Sequence, residues 1–418
     1  MHIAVLGAGV VGVATAWELI RDGHRVTVID REDEAASFTS AANAGLVAPG
    51  HAYAWGSSRA PAMMLRSLWR NDQAIRYRPR LDMDQWRWGM AFLGQCNDQR
   101  ASINTRRKVR LCIYSQSQLE RVRNETALEY DRNDGGLLYF YRSEKSFASA
   151  SSKCEILRGE GMHIEVLDRD GVVGRDPGLA DARHRIAGGL WCRSDESGDA
   201  QIFTRVLKEK CETEGVEFRM NTAVHSLRAD GAHLQVAETD SGAVQADAFV
   251  LALGVFSPEL VRRLDIRLPI YPVKGYSVTL ASGKEHQGPR LGGVDEDNLL
   301  AYCPMGDRLR LTATAEISDY RTLYRPADFT VMLRNAAELL PNAADYSRPA
   351  YWAGLRPMTP TGLPVISGTR FDNLWLNTGH GHMGWTMACG SARIVADQLA
   401  GRKPPIELTG MTLDTIGA

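Results

Sequence analysis

The sequence predicts an α/β fold that opens with a Rossmann-like dinucleotide-binding domain, into which a second, mainly antiparallel domain is inserted. Three observations predict this fold class. The apolar run His2–Leu6 leads directly into a glycine-rich loop at positions 7–12. One helix length later, a second strand pattern stands at positions 25–30. A further buried strand pattern at 248–254 ends in glycine, which suits a cofactor that approaches the carboxyl edge of a parallel sheet.

The opening loop carries three glycines in the spacing of a dinucleotide site. Gly7 allows the tight turn, Gly9 lets the backbone approach a pyrophosphate, and Gly12 lets the next helix pack on the strand. We predict that helix over about residues 11–22, with phosphates at its N-terminus, where free N–H groups and the dipole favour negative charge. Asp30 ends the second strand, near the offset of an acid that binds ribose hydroxyls. An ordinary tight βα turn is the alternative, but it does not explain the position of this acid.

The rest of the chain mixes helix and strand patterns, with no repeat and no low-complexity linker. Helices are predicted at about 106–124, 203–214 and 386–399, and strands at about 136–141, 187–191, 216–220, 224–227 and 234–236. A second unit of helix and strand in mid-chain suggests that the cofactor domain is assembled from separated segments. We predict that residues 1–60, 198–268 and 352–418 form the cofactor-binding domain, and that residues 61–197 and 269–351 form the substrate domain.

The composition narrows the class of protein. The 418 residues carry 49 basic and 50 acidic side chains, and this net charge of −1 gives no global attraction to nucleic acid. The seven cysteines are scattered and form no C-x-x-C pair, so neither a disulfide framework nor a zinc site is expected, and a reducing cytoplasm fits best. The apolar N-terminus lacks the basic region and cleavage site of a signal peptide, and no run approaches the roughly 18 apolar residues of a membrane span.

Two segments near the C-terminus indicate a second group of functional residues. Arg356 lies between a glycine and a proline in a turn-rich apolar stretch, and its guanidinium offers a fork of donors that matches a carboxylate. A structural ion pair is the alternative interpretation. Residues 379–386 form a glycine-rich loop that opens a helix, where N–H groups and the dipole would stabilise negative charge on a flavin ring. His380 and His382 lack a convincing set of ligating neighbours, so no metal site is predicted.

With these segments, the chain resembles the bacterial D-amino-acid dehydrogenases, within the wider FAD-dependent family of D-amino-acid oxidase and glycine oxidase. The likeness runs from Met1 to about Pro405. Its landmarks are the opening glycine loop and four further segments, at residues 40–45, 271–277, 354–360 and 379–390. Together these landmarks are highly specific.

The resemblance implies a non-covalently bound FAD rather than NAD. It implies that residues 40–46 run along the pyrophosphate and flavin, that Val224 packs by the adenine, and that Gly254 lies near the cofactor. It also implies that Arg356 holds the substrate carboxylate. The loop of His382 and Met383 would meet the N1–O2 side of the flavin, where the His382 carbonyl accepts from the substrate amine. The cofactor-binding residues predicted from the glycine loop and from the resemblance are, together, Val5, Gly7, Ala8, Gly9, Val10, Val11, Gly12, Asp30, Arg31, Ser40, Ala41, Ala42, Asn43, Ala44, Gly45, Leu46, Val224, Gly254, Gly381, His382, Met383, Gly384, Trp385 and Thr386.

The sequence departs from this family in two segments of the predicted substrate domain. Relatives tend to carry Tyr or His followed by Lys after an Asp-Glu pair, whereas here Asp-Asn-Leu-Leu at 297–300 follows Asp295-Glu296. Relatives also tend to carry Gly-Gly before a later Ala-Glu, where this chain has Thr-Ala-Thr at 312–314. The selectivity for the substrate side chain therefore stays open, with a cyclic imino acid such as a D-hydroxyproline among the candidates.

The implied reaction is hydride transfer from the substrate Cα to flavin N5, after which the imino acid hydrolyses to a 2-oxo acid and ammonia. The amine must arrive neutral, and no His or carboxylate in the sequence compels a general base. Five alternatives stay open. Three are enzymes that act on small substrates: an oxygen-using oxidase of glycine or D-amino acids, an NAD-dependent dehydrogenase, and a D-hydroxyproline dehydrogenase subunit of a complex. The others are a non-enzymatic electron-transfer or scaffold subunit of a larger complex, and an RNA-modifying flavoprotein. The segment at 40–45 disfavours NAD, and the neutral charge disfavours RNA.

Residues 59–88 contain arginine and tryptophan in a combination that suits the lipid headgroup layer, where a quinone acceptor is reached. The stretch has seven arginines against three aspartates, interleaved with Met63, Met64, Leu65, Trp69, Trp86 and Trp88. A solvated face beside an apolar pocket is the alternative interpretation, and Pro61 and Pro79 interrupt any long amphipathic helix. The hypothesis is weak, salt-sensitive docking of a cytoplasmic protein on the inner membrane, with electrons delivered to quinone or another acceptor.

Overall fold

The computed structural model describes residues 1–58, 60–69 and 75–416, which form two main sheets with flanking helices. In chain order, the helices are α1 (Val10–Arg21), α2 (Ala60–Arg66), α3 (Met83–Gln95), α4 (Asp98–Thr126), α5 (Glu144–Gly159), α6 (Arg169–Arg175), α7 (Ala200–Thr213), α8 (Ser257–Arg262), α9 (Thr330–Leu339) and α10 (Gly384–Leu399). The strands are β1 (His2–Leu6), β2 (Arg25–Ile29), β3 (Leu46–Val47), β4 (Ile75–Tyr77), β5 (Leu137–Tyr141), β6 (Ile164–Asp168), β7 (Gly188–Cys192), β8 (Glu196–Ser197), β9 (Glu217–Arg219), β10 (Val224–Asp230), β11 (His233–Thr239), β12 (Gly242–Gln245), β13 (Ala248–Leu251), β14 (Tyr271–Ala281), β15 (Gly292–Asp295), β16 (Leu300–Met305), β17 (Arg308–Ile317), β18 (Ala350–Met358), β19 (Val365–Gly368) and β20 (Leu374–Thr378).

The first sheet has six strands in the order β19-β20-β13-β1-β2-β9, and all its neighbouring pairs are parallel except β19–β20. Its central strand β1 is apolar on both faces because both faces are covered. Ile3 and Val5 belong to one core with α1, α7 and α10, whereas Ala4 and Leu6 belong to another core with α8 and the small sheet β10-β11-β12. This arrangement explains the continuous apolar run in the sequence.

The second sheet has nine strands and is mainly antiparallel. Eight strands follow the order β18-β14-β17-β16-β15-β5-β7-β6, and β4 pairs with β17 outside this path. Two of its pairings are parallel, β5 with β15 and β4 with β17. The predicted α/β fold class is thereby confirmed, with a Rossmann-like parallel sheet and a mainly antiparallel partner.

Two features bear on the predicted domain boundaries. The boundary expected between residues 351 and 352 falls inside β18, which belongs to the antiparallel sheet, and Arg356 lies on that strand. Helix α4, which lies within the segment assigned to the substrate domain, packs along α10. This helix begins about eight residues before the predicted start, because Asn97 caps it through a side-chain bond from Arg100 N–H. The division into domains stays a prediction.

A helix that spans a membrane must be long and predominantly apolar. No helix in the described residues is both long and apolar enough to cross a bilayer.

Candidate active site

A cavity of about 1070 Å³ is lined by residues from both main sheets. One end, which we call the cofactor end, is lined by the glycine loop, by Asp30 and by the start of α10. The other end, the substrate end, is lined by Arg356 on β18, Thr314 on β17, and His51 with Glu296. The volume is at the upper limit of ordinary ligand sites, which suits a ligand of dinucleotide size.

Two of the three glycines in the opening loop allow close packing of the protein, and the third leaves space for a ligand. A Cβ on Gly7, whose φ is +113°, would lie 2.6 Å from the carbonyl oxygen of Ala252, and one on Gly12 would lie 1.8 Å from the carbonyl oxygen of Gly7. Both glycines therefore allow protein segments to pack closely. A Cβ on Gly9 would meet only the Ser40 hydroxyl, at 3.5 Å, on the side of the cavity. Only Gly9 therefore leaves room for a ligand.

Backbone N–H donors and unpaired polar side-chain atoms face the cofactor end of the cavity. Gly9 provides no side-chain cap for helix α1, so the N–H groups of its first turn lack partners within the helix. One of them, from Val10, donates to Ser40 Oγ at 3.2 Å. Among the described residues, Asn377 Oδ1 and Trp385 Nε1 line the cavity and are buried without a hydrogen-bond partner. A site of this kind fits a phosphate-bearing cofactor with polar ring edges, as FAD is.

Asp30 and Arg31 lie at the far corner of the cofactor end. Asp30 Oδ2 accepts from Ala8 N at 2.6 Å and Oδ1 accepts from Glu32 N at 2.9 Å, so the carboxylate fixes the loop while lining the cavity. Burial raises the pKa of Asp30, although the backbone bonds from Glu32 and Ala8 oppose that shift. The Arg31 guanidinium lies 4.0 Å from the centroid of the Phe256 ring, a cation–π contact that holds it at the rim.

The structure places most of the predicted site residues on the cavity wall. Those that line it are Gly7, Gly9, Val10, Val11, Asp30, Arg31, Ser40, Ala42, Asn43, Ala44, Leu46, Val224, Gly254, Arg356, Gly381, His382, Met383, Gly384, Trp385 and Thr386. Five others do not line it: Val5, Ala8, Gly12, Ala41 and Gly45. Their individual contacts with cofactor and substrate stay predictions.

Side-chain hydrogen bonds fix the loop before α10 and the first turn of that helix. His380 Nε2 lies 2.9 Å from Ser391 Oγ, and burial lowers the pKa of His380 to about 3, so its ring is neutral at physiological pH. Burial likewise holds the pKa of His382 well below its usual value. Thr386 Oγ1 accepts from Ala48 N at 3.1 Å, which ties the helix to the segment after β3. Across the described residues, no group of three or more His, Cys, Asp or Glu side chains is arranged to hold a metal ion.

Arg356 on β18 is held by a backbone carbonyl from a bulge in β17, the strand on the far side of β14. The register between β14 and β17 shifts after Gly275, which leaves Thr314 unpaired with φ +64°. The Thr314 carbonyl then accepts from Arg356 Nη1 at 3.1 Å, and the guanidinium lies over Gly275, where a Cβ would approach it to 2.4 Å. Burial lowers the pKa of Arg356 to about 10, so it stays cationic at neutral pH. No acidic side chain pairs with it in the described ranges.

Sequence reasoning missed several residues of the substrate end. His51, Tyr53 and Trp55 follow the segment at 40–46 and line the cavity, and the Trp55 and His382 rings stack with centroids 4.7 Å apart. The alternation of ring-bearing residues in His51-Ala-Tyr53-Ala-Trp55, so close to a cofactor segment, is the signal that could have found them. Glu296 was noticed only as a family landmark.

Comparison with known proteins agrees with this geometry. A family model described as FAD dependent oxidoreductase matches residues 2–398. The chain is 44% identical over 412 residues to D-amino acid dehydrogenase 2 of Mesorhizobium japonicum, covering 98% of this chain and 99% of that protein. It is 41% identical over 418 residues to a D-amino acid dehydrogenase of Agrobacterium fabrum, covering 100% of both.

Solved structures show the same fold at lower identity. Glycine oxidase from Geobacillus kaustophilus superposes with a TM-score of 0.74 at 22% identity, covering 98% of this chain and 97% of that one. An L-proline dehydrogenase from P. horikoshii gives a TM-score of 0.73 at 17% identity, covering 97% and 95%. The family match over nearly the whole length, joined to the glycine loop and the cavity described above, shows that this chain belongs to the FAD dependent oxidoreductases.

Proposed function

We propose that this protein uses bound FAD to oxidise D-amino acids to 2-oxo acids and ammonia. The observation that carries the proposal is Arg356, a cation inside the cavity with one backbone hydrogen bond and no acidic partner in the described ranges. A structural ion pair would need such a partner. A guanidinium left in this state is suited to bind the carboxylate of a ligand. The curated relatives named D-amino acid dehydrogenases support the choice of substrate class.

The position of Arg356 relative to the cofactor end also supports the proposed oxidation of a D-amino acid. Two residues farther along β18, Met358 forms an antiparallel bridge with His380, at the start of the loop that leads into α10. A carboxylate held by Arg356 therefore lies beside the loop of His382 and Met383. FAD, when bound, would accept the hydride from the substrate Cα. The chain itself binds the carboxylate, orients the amine through a backbone carbonyl at His382, and keeps His380 and His382 neutral by burial.

An anaerobic titration tests this function. The purified, FAD-loaded protein is mixed under nitrogen with D-alanine, L-alanine, glycine or D-proline, and the flavin absorbance is followed. We expect bleaching by D-amino acids, with the products identified as a 2-oxo acid and ammonia. Bleaching by the L-enantiomer alone, or by none of these substrates, would contradict the proposal.

The natural electron acceptor is proposed from an exposed surface. Eight large apolar side chains of residues 65–93 are exposed, and we call them the apolar face: Leu65, Leu68, Trp69, Leu81, Met83, Trp86, Met90 and Leu93. Four of them lie on one side of α3, whose other side is buried through Trp88 and Phe92. Met63 and Ala60 in the same region line the cavity. The face is therefore beside the site, and tryptophan with arginine there suits a lipid interface that holds quinone.

The structure also corrects the composition of this surface. Met64 and Trp88 were expected at the interface but are buried, and Trp88 Nε1 donates to Met358 O at 2.8 Å. Arg76, which was counted among the headgroup-facing arginines, is buried on β4. Arg59, Arg70 and Asp72 lie outside the described residues. Composition identified the stretch, but the pairing of β4 with β17 and the packing of α3 decided which of its side chains point inward.

Membrane docking and the acceptor are tested separately. We expect the protein to co-sediment with anionic vesicles at low salt, and Trp86→Gln with Met90→Gln to lose that binding while keeping flavin reduction. Val166→Gln, which alters an exposed apolar side chain on β6, serves as the matched control. Reduced enzyme should be reoxidised faster by a soluble quinone than by air. Fast reoxidation by air with no vesicle binding would instead favour an oxygen-using oxidase.

A further inference from the structure

The substrate end contains a histidine–carboxylate pair, His51 with Glu296, to which the reaction described above assigns no role. Nε2 of His51 lies 3.1 Å from Oε1 of Glu296, and both side chains line the cavity. His51 ends the short turn Pro49–His51, and Glu296 directly follows β15, so the fold joins two distant segments here. The imidazole is held in place by Tyr139, whose ring stacks on it with centroids 5.7 Å apart, and by His382, which meets it edge-on at 6.4 Å.

Glu296 determines which imidazole nitrogen is available. Because Nε2 faces the carboxylate, the neutral ring carries its proton on Nε2 and donates it to Glu296. The lone pair then resides on Nδ1, which has no hydrogen-bond partner in the part of the chain that the structure describes. A carboxylate behind a histidine also stabilises the imidazolium that forms when Nδ1 takes a proton, as in other carboxylate–histidine pairs.

We infer that His51, backed by Glu296, removes the proton from the substrate ammonium and so delivers the neutral amine that the oxidation requires. The inference rests on the proposed function, because it assigns the proton acceptor of that reaction. The ammonium N–H bond breaks, an N–H bond forms at Nδ1, and the electron pair remains on the amine nitrogen. The imidazolium returns its proton to solvent after turnover. His51 would be a catalytic residue, and Glu296 a positioning residue that acts through it.

The electrostatic surroundings of His51 support this assignment. Burial lowers the pKa of the His51 imidazole. The charge of Glu296 and its hydrogen bond together raise that pKa by more than burial lowers it, so the net shift is upward. Two more distant groups act in opposite directions, since Lys108 on α4 lowers the pKa and Asp195, beyond β7, raises it. The aromatic neighbours Tyr139 and His382 add no charge, because burial keeps both rings neutral.

The test is anaerobic stopped-flow reduction of the FAD-loaded enzyme by D-alanine over a range of pH. We expect His51→Gln to lower the ratio of reduction rate to Kd by about 100-fold at neutral pH, the usual scale for a general base. The loss should disappear above the pKa of the ammonium itself, where neutral amine arrives from solution. Glu296→Gln should move the inflection of the pH profile downward. Asp297→Asn is the matched control, because its Oδ2 accepts from Arg142 N and Ser143 N, and it should keep the wild-type inflection.

Two results would overturn the assignment. One is a deficit in His51→Gln that is equal at every pH. The other is a change in preference between D-alanine and a basic D-amino acid, which would make the pair a selectivity element for the side chain. If His51→Gln does not bind FAD, the pH profile of Glu296→Gln tests the assignment instead. A downward shift of its inflection supports the assignment, and an unchanged inflection overturns it. Failure of the proposed function is distinguishable, because then no D-amino acid would reduce the wild-type flavin at any pH.

Discussion

The two ends of the cavity are built in different ways. At the cofactor end, the glycine loop, the start of α1 and Asp30 all come from the first 30 residues, and only the start of α10 joins them from far along the chain. We expect this end to meet its ligand largely through backbone N–H groups. At the substrate end, His51, Glu296, Thr314 and Arg356 come from four separate segments and act mainly through side chains. The difference teaches that backbone recognition can be encoded in one short motif, whereas a side-chain constellation depends on how distant strands are paired.

Substitution of Gly9 gives the largest expected effect and tests the backbone character of the cofactor end. Its φ of −70° and ψ of 175° suit any residue, and only Ser40 Oγ lies near its missing Cβ. Gly9→Val should therefore fold and yet lose nearly all flavin absorbance, because the side chain occupies the ligand's space.

Gly12→Ala is the informative comparison. There a Cβ would lie 1.8 Å from the Gly7 carbonyl oxygen, so the melting temperature itself should fall. A Gly9→Val protein fully loaded with FAD would refute the assignment of this end.

Arg356→Ala tests the corresponding feature of the substrate end. Loss of a charge-assisted pair costs roughly 3–5 kcal/mol when the partner is left buried, so the substrate Kd should rise by more than about 100-fold. FAD content should not change, because the contacts of the cofactor end remain. An anaerobic titration measures both quantities, and unchanged flavin reduction at low substrate concentration would remove Arg356 from the site. Arg356→Lys should recover only part of the affinity, since it keeps the charge without the fork.

The stability of the protein should depend on pH through Asp195, which lies behind the substrate end against Tyr139, the ring that stacks on His51. Asp195 Oδ2 accepts from Tyr139 Oη at 2.6 Å and from Gly50 N at 3.0 Å, and burial raises the pKa of Asp195 from 3.8 to about 7. Between these pH values the folded protein holds a proton that the unfolded chain has released. Its contribution to stability is therefore present at acid pH and lost as the pH rises through about 7.

Asp195→Asn isolates the part of the stability that depends on protonation of Asp195. The amide oxygen can still accept from both donors but does not ionise, so the difference in unfolding free energy between wild type and variant should shrink toward acid pH and favour the variant toward alkaline pH. Chemical denaturation at a series of pH values measures it. Parallel curves for the two proteins would mean that Asp195 does not titrate in this window.

The smallest expected effect concerns the bulge whose backbone carbonyl holds Arg356. Thr314 is β-branched and has φ +64°, a conformation that costs about 1–3 kcal/mol for such a residue. Thr314→Gly should stabilise the protein by about 1 kcal/mol, because part of the relieved strain is offset by the entropy of glycine. The substrate Kd should change little, since the bond to Arg356 comes from the backbone carbonyl.

Thr312→Gly on the same strand provides the matched control. Thr312 is buried and paired with Ser277 in the regular register, so its replacement should lower the melting temperature. Equal destabilisation by both substitutions would show that Thr314 carries no strain.

The sequence by itself determined the fold class and the cofactor end. Strand β1, the glycine loop, α1 and β2 are contiguous, and each is specified by local spacing, by glycine conformation and by apolar runs that both faces of a parallel sheet require. Arg356 was singled out from the sequence as a lone arginine between a glycine and a proline, and its role, which stays a prediction, came from the family resemblance. The turn-rich character expected there was wrong, because residues 350–358 form strand β18.

Only the tertiary structure decided how that arginine is held and which other side chains share its end of the cavity. The bulge at Thr314 follows from the register of β17 against β14, and the pairing of His51 with Glu296 from the approach of two segments about 245 residues apart. The inward burial of Arg76 and Trp88 followed in the same way from strand pairing and from packing of α3. Such contacts have no signature in local periodicity, because register and packing over long separations are set by the whole core rather than by neighbouring residues.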